Sequence, residues 1–205
     1  MMHRYRSDYS NQVHQLVVSM SRHYYVTKQG KYQYQKKPFE VQLGAQGTRL
    51  HAVHYVIRDH FSGLFYAEIS DSDHLIPIED FLYRAWCKKT EHPFHGIPEA
   101  ISVPKTVQNV WPLVTELLMQ SGIEVIDVTS GFQGGVRDIR TWEDNLRYGP
   151  YESGFPPDYT EVKSKATEIC RQLATWSSNG EKKEHKWRSN LKNVLFPMSR
   201  ETFLA

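Results

Sequence analysis

The sequence predicts an α/β domain, with a mixed sheet that carries helices on both faces. Segments rich in Val, Ile and Tyr alternate with segments of helical spacing between residues 38 and 148. Glycine, proline and serine turns separate these segments along the chain. A hydrophobic fraction of 40% in 205 residues is enough to bury one substantial core.

Three short strands in a meander are expected at the start of this zone, over the stretch FEVQLGAQGTRLHAVHYVIRDHFSGLFYAEIS that begins at Phe39. The first of them begins there. The second covers Arg49–Asp59, which is rich in β-branched residues and tyrosine. Ser62-Gly63 supplies a turn into the third strand, Leu64–Ser70.

The rest of the zone alternates between helix and strand, beginning with a helix that Pro77 can start. The expected order is helix, strand, helix, apolar strand, glycine-rich loop and helix. In that order the segments are Ile78–Lys89, Glu99–Val103, Val107–Gln120, Ile123–Val128, Gly131–Gly135 and Asp138–Arg147. This order fits a ribonuclease-H-like fold with a mixed five-stranded sheet and helices on both faces.

Two extensions flank the core. Residues 1–37 form a basic, tyrosine-rich N-terminal extension, in which Asp8 is the one acid and a short helix is expected around Asn11–Met20. This extension either contacts phosphates and unpaired bases or is a solvated arm whose tyrosines pack on the core. Residues 149–205 begin with a turn-rich stretch and continue as a helical extension.

Composition narrows the class of protein. The two cysteines, Cys87 and Cys170, are far apart in the chain and are expected to be buried free thiols, which rules out a Cys-x-x-Cys zinc module. No apolar run approaches the roughly 20 residues of a membrane span, and no signal peptide is recognisable. We therefore expect no membrane partner and a cytoplasmic location. The net charge of +2 does not by itself indicate nucleic-acid binding.

Four local phrases carry a resemblance to a known family. They are RDHFSGLFYAEI, GIPEAIS, QSGIEVIDV and GFQGGVRDIRTWEDNLR. In order and spacing they resemble the core domain of retroviral integrases and bacterial insertion-sequence (DDE) transposases, over residues 38–148. The resemblance implies a ribonuclease-H-like core in which three carboxylates hold two Mg²⁺ or Mn²⁺ ions for strand transfer on DNA.

The three acidic positions of that family are occupied by other residues. The resemblance places Gln42, Val103 and Arg137 there. An amide offers one neutral oxygen, valine offers no donor atom, and an arginine repels a cation. We therefore expect no catalytic residues, no metal and no cofactor.

A different register leaves two acids available. A shift by one residue brings Asp138 to the third position, and Asp59 is the substitute for the first, although it is placed at a strand turn. With acids in such a register, the chain would be an active DDE recombinase that uses Mg²⁺ or Mn²⁺.

The leading hypothesis is an integrase-like core of mobile-element origin that has lost its metal-binding acids and acts as a DNA-binding or protein-interaction module. Its expected partners are DNA, a second copy of the chain, or a recombinase. The other alternative is a protein scaffold that does not bind DNA, and Arg137 then pairs with a nearby acid. The residues expected to contact nucleic acid are Lys36, Lys37, Lys105, Arg137, Arg140 and Arg147.

Overall fold

The computed structural model describes residues 6–45, 47–126, 134–175, 178–192 and 194–197. Over these residues the chain is an α/β protein with one mixed, open six-stranded sheet and six helices. The strands are β1 (Val13–Val26), β2 (Tyr32–Tyr34), β3 (Leu50–Asp59), β4 (Phe65–Asp71), β5 (Ala100–Ser102) and β6 (Glu124–Ile126). The helices are α1 (Ile78–Trp86), α2 (Lys105–Val110), α3 (Val114–Gln120), α4 (Gly134–Arg147), α5 (Tyr159–Thr175) and α6 (Ser178–Ser189).

The long strand β1 is the centre of the sheet. The strand order is β4-β3-β1-β5-β6, and β2 pairs with the end of β1. β1 runs antiparallel to β2 and β3 but parallel to β5, which is in turn parallel to β6. The sheet is therefore antiparallel on one side of β1 and parallel on the other.

The helix expected around Asn11–Met20 is wrong, because these residues belong mostly to β1. Side chains of β1 alternate between two covered faces: Leu16 and Val18 enter one core, whereas Val17 packs against the other. A strand covered on both faces reads as a nearly continuous apolar run, which periodicity alone does not distinguish from a helix.

The strand expected to begin at Phe39 is also wrong. Residues 39–45 form a loop, in which Gln42 accepts a hydrogen bond from the backbone N–H of Ala45 and Gly44 has a φ of 80°. Val41 and Leu43 pack against the core from this loop. The apolar residues that pack this loop on the core therefore give it a strand-like sequence pattern. The first strand of the sheet is β1.

The later elements agree with the sequence reading, within a few residues for β3, β4, α1, β5 and α4. The helix expected at Val107–Gln120 is divided into α2 and α3 around Trp111–Leu113, where Pro112 cannot continue a helix. Residues 127–133 lie outside the described residues, so Asp127, Gly131 and the end of the predicted apolar strand are not placed.

The helices cover both faces of the sheet. α1, α2 and α3 pack with Tyr55 and Ile57 of β3, whereas α4 and α5 pack with Val56 of the same strand. Both cores combine residues from 1–37, 38–148 and 149–205, so the three sequence zones pack together. Among the described helices, none is both long enough and apolar enough to cross a membrane.

Candidate nucleic-acid interface

The candidate site lies where β1 begins, β5 ends and α4 starts. Gln15 of β1 stands opposite Ser102, the last residue of β5. The backbone N–H of Gly135, in the first turn of α4, donates to Oε1 of Gln15 at 3.2 Å. The start of α4 is therefore held directly over the central strand.

Two glycines allow this close approach. A Cβ on Gly135 would lie 2.5 Å from Cγ2 of Val17, and one on Gly134 would lie 2.4 Å from Nη1 of Arg58. Both distances are shorter than real carbon contacts. The Gly-Gly pair expected as a loop is thus the first turn of α4, and its lack of side chains lets the helix contact the sheet.

Asp138 lies one turn further along α4 and faces the sheet, with 8% of its surface exposed. Its carboxylate is 2.8 Å from Nε of Arg58, on β3, and 3.7 Å from Nζ of Lys183, on α6. Burial raises the pKa of Asp138, while Lys183, Arg58 and Arg137 act in the opposite direction. One carboxylate is therefore paired with two cationic side chains and feels the charge of a third.

The expected acidic positions now have places in the fold. Gln42 is in the loop before β3 and therefore does not occupy the first strand, so that assignment is wrong. Val103 is buried directly after β5, at the expected strand end. Arg137 is exposed on α4, and its neighbour Asp138 is the residue turned toward the sheet.

Sequence reasoning missed Gln15 and Arg58. The resemblance covers residues 38–148 and therefore does not include Gln15 of β1. Arg58 is a polar residue in the otherwise buried run of β3, and this interruption was the available signal. Its side chain is 16% exposed and pairs with the carboxylate of Asp138.

These residues do not fit a two-metal site. Gln15 and Ser102 offer neutral oxygens, and the carboxylate of Asp138 is already paired with Arg58. Within the described ranges, no group of three or more His, Cys, Asp or Glu side chains could hold a metal ion. Magnesium and manganese ions prefer anionic oxygens, and the guanidinium of Arg58 beside Asp138 would repel them.

Asp59, the other fallback acid, is at the opposite face of the sheet. Its carboxylate accepts hydrogen bonds from the backbone N–H of Asn11 at 2.8 Å and from the N–H and hydroxyl of Ser62 at 2.7 and 2.5 Å. Burial raises the pKa of Asp59, and these hydrogen bonds oppose that shift. The geometry is that of a residue that closes the turn between β3 and β4.

Asp59 also belongs to a larger network, the Asn11 network, formed by Asn11, His14, Asp59, Trp86 and Trp187. Nε1 of Trp86 donates to Nδ1 of His14 at 3.1 Å, so His14 donates from Nε2 to Oδ1 of Asn11 at 3.0 Å. Nε1 of Trp187 donates to the same oxygen at 3.2 Å. This network fastens α6 to the start of β1.

A buried histidine anchors the middle of α4. Nδ1 of His54, on β3, is 3.0 Å from Oε1 of Glu143, and the His54 side chain is fully buried. Burial lowers the pKa of His54 to about 3, so the ring is neutral at neutral pH. This contact on the sheet side of α4 sets which face of the helix points outward.

The outward face of α4 carries three of the six residues predicted to contact nucleic acid. Arg137 and Arg140 are exposed, Arg147 is partly exposed, and the inward residues of the helix are buried. At 1.5 Å per residue, the stripe from Arg137 to Arg147 spans roughly 15 Å. Within the described residues, the ion pairs of Asp138 are with Arg58 and Lys183.

The three predicted lysines lie elsewhere on the surface. Lys105 is exposed at the start of α2, just beyond the end of β5. Lys36 and Lys37 are exposed directly after β2, whose Tyr34 lies against Arg147. Of these lysines, Lys36 and Lys37 are thus close in the chain to a residue that contacts the end of α4.

No protein-family model matches the sequence, and no curated protein matches it either.

Proposed function

We propose that this chain is an integrase-like core with a ribonuclease-H-like fold, of mobile-element origin, that binds nucleic acid without catalysing strand transfer. The strand order β4-β3-β1-β5-β6 supports this, with three antiparallel strands followed by two parallel ones. The placement of α4 after β6 and against β1 supports it as well. A cytoplasmic or nucleoid location belongs to the same proposal.

The observation that carries the proposal is the charge around Asp138. Arg58 and Lys183 form ion pairs with this carboxylate, and the adjacent Arg137 acts to lower its pKa, so the net charge of these four side chains is positive. A positive surplus repels divalent cations and attracts phosphate. A site with this charge favours the backbone of a nucleic acid over a metal ion.

The exposed stripe of α4 extends this surface. Arg137, Arg140 and Arg147 follow one another at helical spacing, with Asp144 between the second and the third. Their span of roughly 15 Å corresponds to about four phosphates of one DNA strand at 3.4 Å per nucleotide. The stripe therefore suits a run of consecutive backbone contacts.

The direct test is binding of a fluorescein-labelled DNA duplex by anisotropy, in EDTA and in Mn²⁺, with a gel assay for strand cleavage on the same samples. We expect binding in EDTA, no gain in affinity in Mn²⁺, because this cation competes for the DNA phosphates, and no cleavage. Cleavage that needs Mn²⁺ and is lost in Asp138→Asn would establish the active-recombinase alternative instead. Absence of binding at low salt would favour the protein scaffold.

A charge-matched comparison locates the surface. The Arg137→Ala/Arg140→Ala variant should lose affinity for all duplexes, by roughly tenfold at low salt. The control, Lys163→Ala/Arg171→Ala, removes two exposed cations from α5 and should bind like the unmodified chain. Equal losses in the two variants would mean that binding depends on total charge and not on α4.

A further inference from the structure

An exposed aromatic cluster surrounds the last residue of α4. The guanidinium carbon of Arg147 is 4.2 Å from the ring centre of Tyr34, 5.0 Å from that of Tyr148 and 5.8 Å from that of Phe155. We call these four residues the Arg147 cluster. It joins β2, the end of α4 and the loop before α5.

Two rings of this cluster are turned to solvent. Tyr148 is 68% exposed and Phe155 is 67% exposed, and their planes are parallel within 2° with centres 6.3 Å apart. A single exposed apolar residue is ordinary, but two adjacent parallel rings beside an arginine offer aromatic faces to a ligand. Such a surface suits a flat ligand.

The loop that carries these rings is tied down on several sides. The hydroxyl of Tyr151 donates to the carbonyl of Leu146 at 2.5 Å, and the backbone N–H of Tyr32 donates to the carbonyl of Pro157 at 2.8 Å. Asp158 forms an ion pair with Lys31 at 2.8 Å. These contacts fix the loop that carries the two rings, which lowers the entropic cost of ordering it on binding.

The charges around the cluster favour a nucleic acid over a peptide or a second copy. Lys36 and Lys37 follow Tyr34 by two and three residues, and Arg140 lies two turns before Arg147 on the same helix. Two acids lie close by in the chain: Asp144 of α4 accepts a hydrogen bond from the hydroxyl of Tyr24 at 3.2 Å, and Glu152 is exposed in the loop between Tyr148 and Phe155. Aromatic faces next to cations are the usual combination for stacking bases while contacting their phosphates.

We propose that the Arg147 cluster binds unpaired nucleobases of a single-stranded DNA or RNA segment, continuous with phosphate contacts along α4. This inference rests on the proposed function and deepens it, because it specifies single-stranded or frayed nucleic acid as the preferred ligand. The bases stack on Tyr148 and Phe155, and the Arg147 charge lies beside them.

The test compares three fluorescein-labelled DNAs by anisotropy: a blunt duplex, the same duplex with a 3′ overhang, and a single strand. We expect the overhang to bind about tenfold more tightly than the blunt duplex. The Tyr148→Ala/Phe155→Ala variant should lose this preference and keep its affinity for the blunt duplex. A 2-aminopurine in the overhang should be quenched on binding by the unmodified chain only.

Two controls separate the alternatives. Leu113→Ala/Met119→Ala removes exposed apolar side chains from a different surface and should keep the overhang preference, whereas Tyr148→Phe should retain stacking.

Duplex binding without any overhang preference overturns the base-binding role of the Arg147 cluster but leaves the proposed function intact. Absence of all DNA binding overturns both. A dimer in sedimentation that dissociates in Tyr148→Ala/Phe155→Ala would assign the cluster to self-association and overturn the inference.

Discussion

Arg58 and Asp59 are neighbours at the end of β3, yet they serve opposite faces of the sheet and two different kinds of region. Asp59 enters the Asn11 network, in which buried polar groups hydrogen-bond to one another within the chain. Arg58 enters the site at the start of α4, where three cations meet one carboxylate. Adjacent side chains of a strand point to opposite faces of the sheet. The end of β3 therefore contributes one residue to the Asn11 network and the next to the site at the start of α4.

The comparison separates stability from binding. The polar groups of the Asn11 network are hydrogen-bonded to one another. Removing them should therefore destabilise the fold without changing the binding specificity of the molecules that stay folded. Within the described residues, the ion pairs of the Asp138 site join one carboxylate to two cations, which leaves a positive surplus. Changes there should affect affinity for a polyanion more than folding.

The largest effect is expected for Trp187→Ala. Trp187 is fully buried, stacks on Phe94 with ring centres 6.4 Å apart, and donates to Asn11. Removing the ring should lower the free energy of unfolding by about 3–5 kcal/mol, measured by urea denaturation. Trp187→Phe keeps most of the packing and should lose only about 1–2 kcal/mol. A loss below 1 kcal/mol in the alanine variant would show that α6 is not fastened by this network.

A smaller loss is expected for Gly135→Ala, because its Cβ would lie 2.5 Å from Cγ2 of Val17. Overpacking of this kind should cost about 1–3 kcal/mol in the free energy of unfolding and shift the start of α4 away from the sheet. DNA affinity should fall with it. Gly47→Ala is the control, because its Cβ would meet no atom closer than 3.8 Å. Equal stability of the two variants would contradict the close contact of α4 with β1.

The pH dependence of stability tests the network through His14. Burial lowers the pKa of His14 to about 3, below its ordinary value of 6.5. The unfolded chain therefore binds this proton first, so stability is lost as pH falls below about 6.5. When the pH is lowered from 7 to 5.5, the free energy of unfolding of His14→Gln should fall by about 1 kcal/mol less than that of the unmodified chain. Urea denaturation at each pH measures this difference. Identical losses would mean that His14 is protonated in the folded state.

The smallest effect is expected for Asp138→Asn, which removes the one negative charge among Arg58, Lys183 and Arg137. Affinity for a DNA duplex should rise by about threefold at low salt. Asp59→Asn is the matched control; it should lower stability but leave affinity unchanged, because Asp59 is on the other face. Weaker DNA binding by Asp138→Asn would indicate that this carboxylate holds a metal ion.

The sequence was informative where an element is covered on one face or bounded by turns. β3, β4 and α1 were predicted because Ser62-Gly63 and Pro77 punctuate them. β1 was missed because both of its faces are covered, so its apolar residues have no clear period. The loop at residues 39–45 was taken for a strand because Val41 and Leu43 pack on the core.

For the candidate site, the sequence predicted where some residues lie in the fold but not which strands bring others beside them. Val103 and α4 were placed correctly at the end of β5 and after β6, and Asp138 was named as the alternative to Arg137. Gln15 and Arg58 were not found, because their roles depend on which strands are adjacent, and a single sequence does not contain that pairing. The contribution of Lys183 depends on how α6 returns to the sheet.

The central claim is that the outward face of α4 and the cations around Asp138 bind a polyanion through charge. The most direct measurement is the slope of log affinity against log salt for one DNA duplex, for the unmodified chain and for Arg137→Ala/Arg140→Ala. The account predicts a steep negative slope that becomes shallower by about two in the variant, since about 0.9 counterions are released per phosphate contact. A slope that is flat, or that is equal in the two proteins, would contradict it.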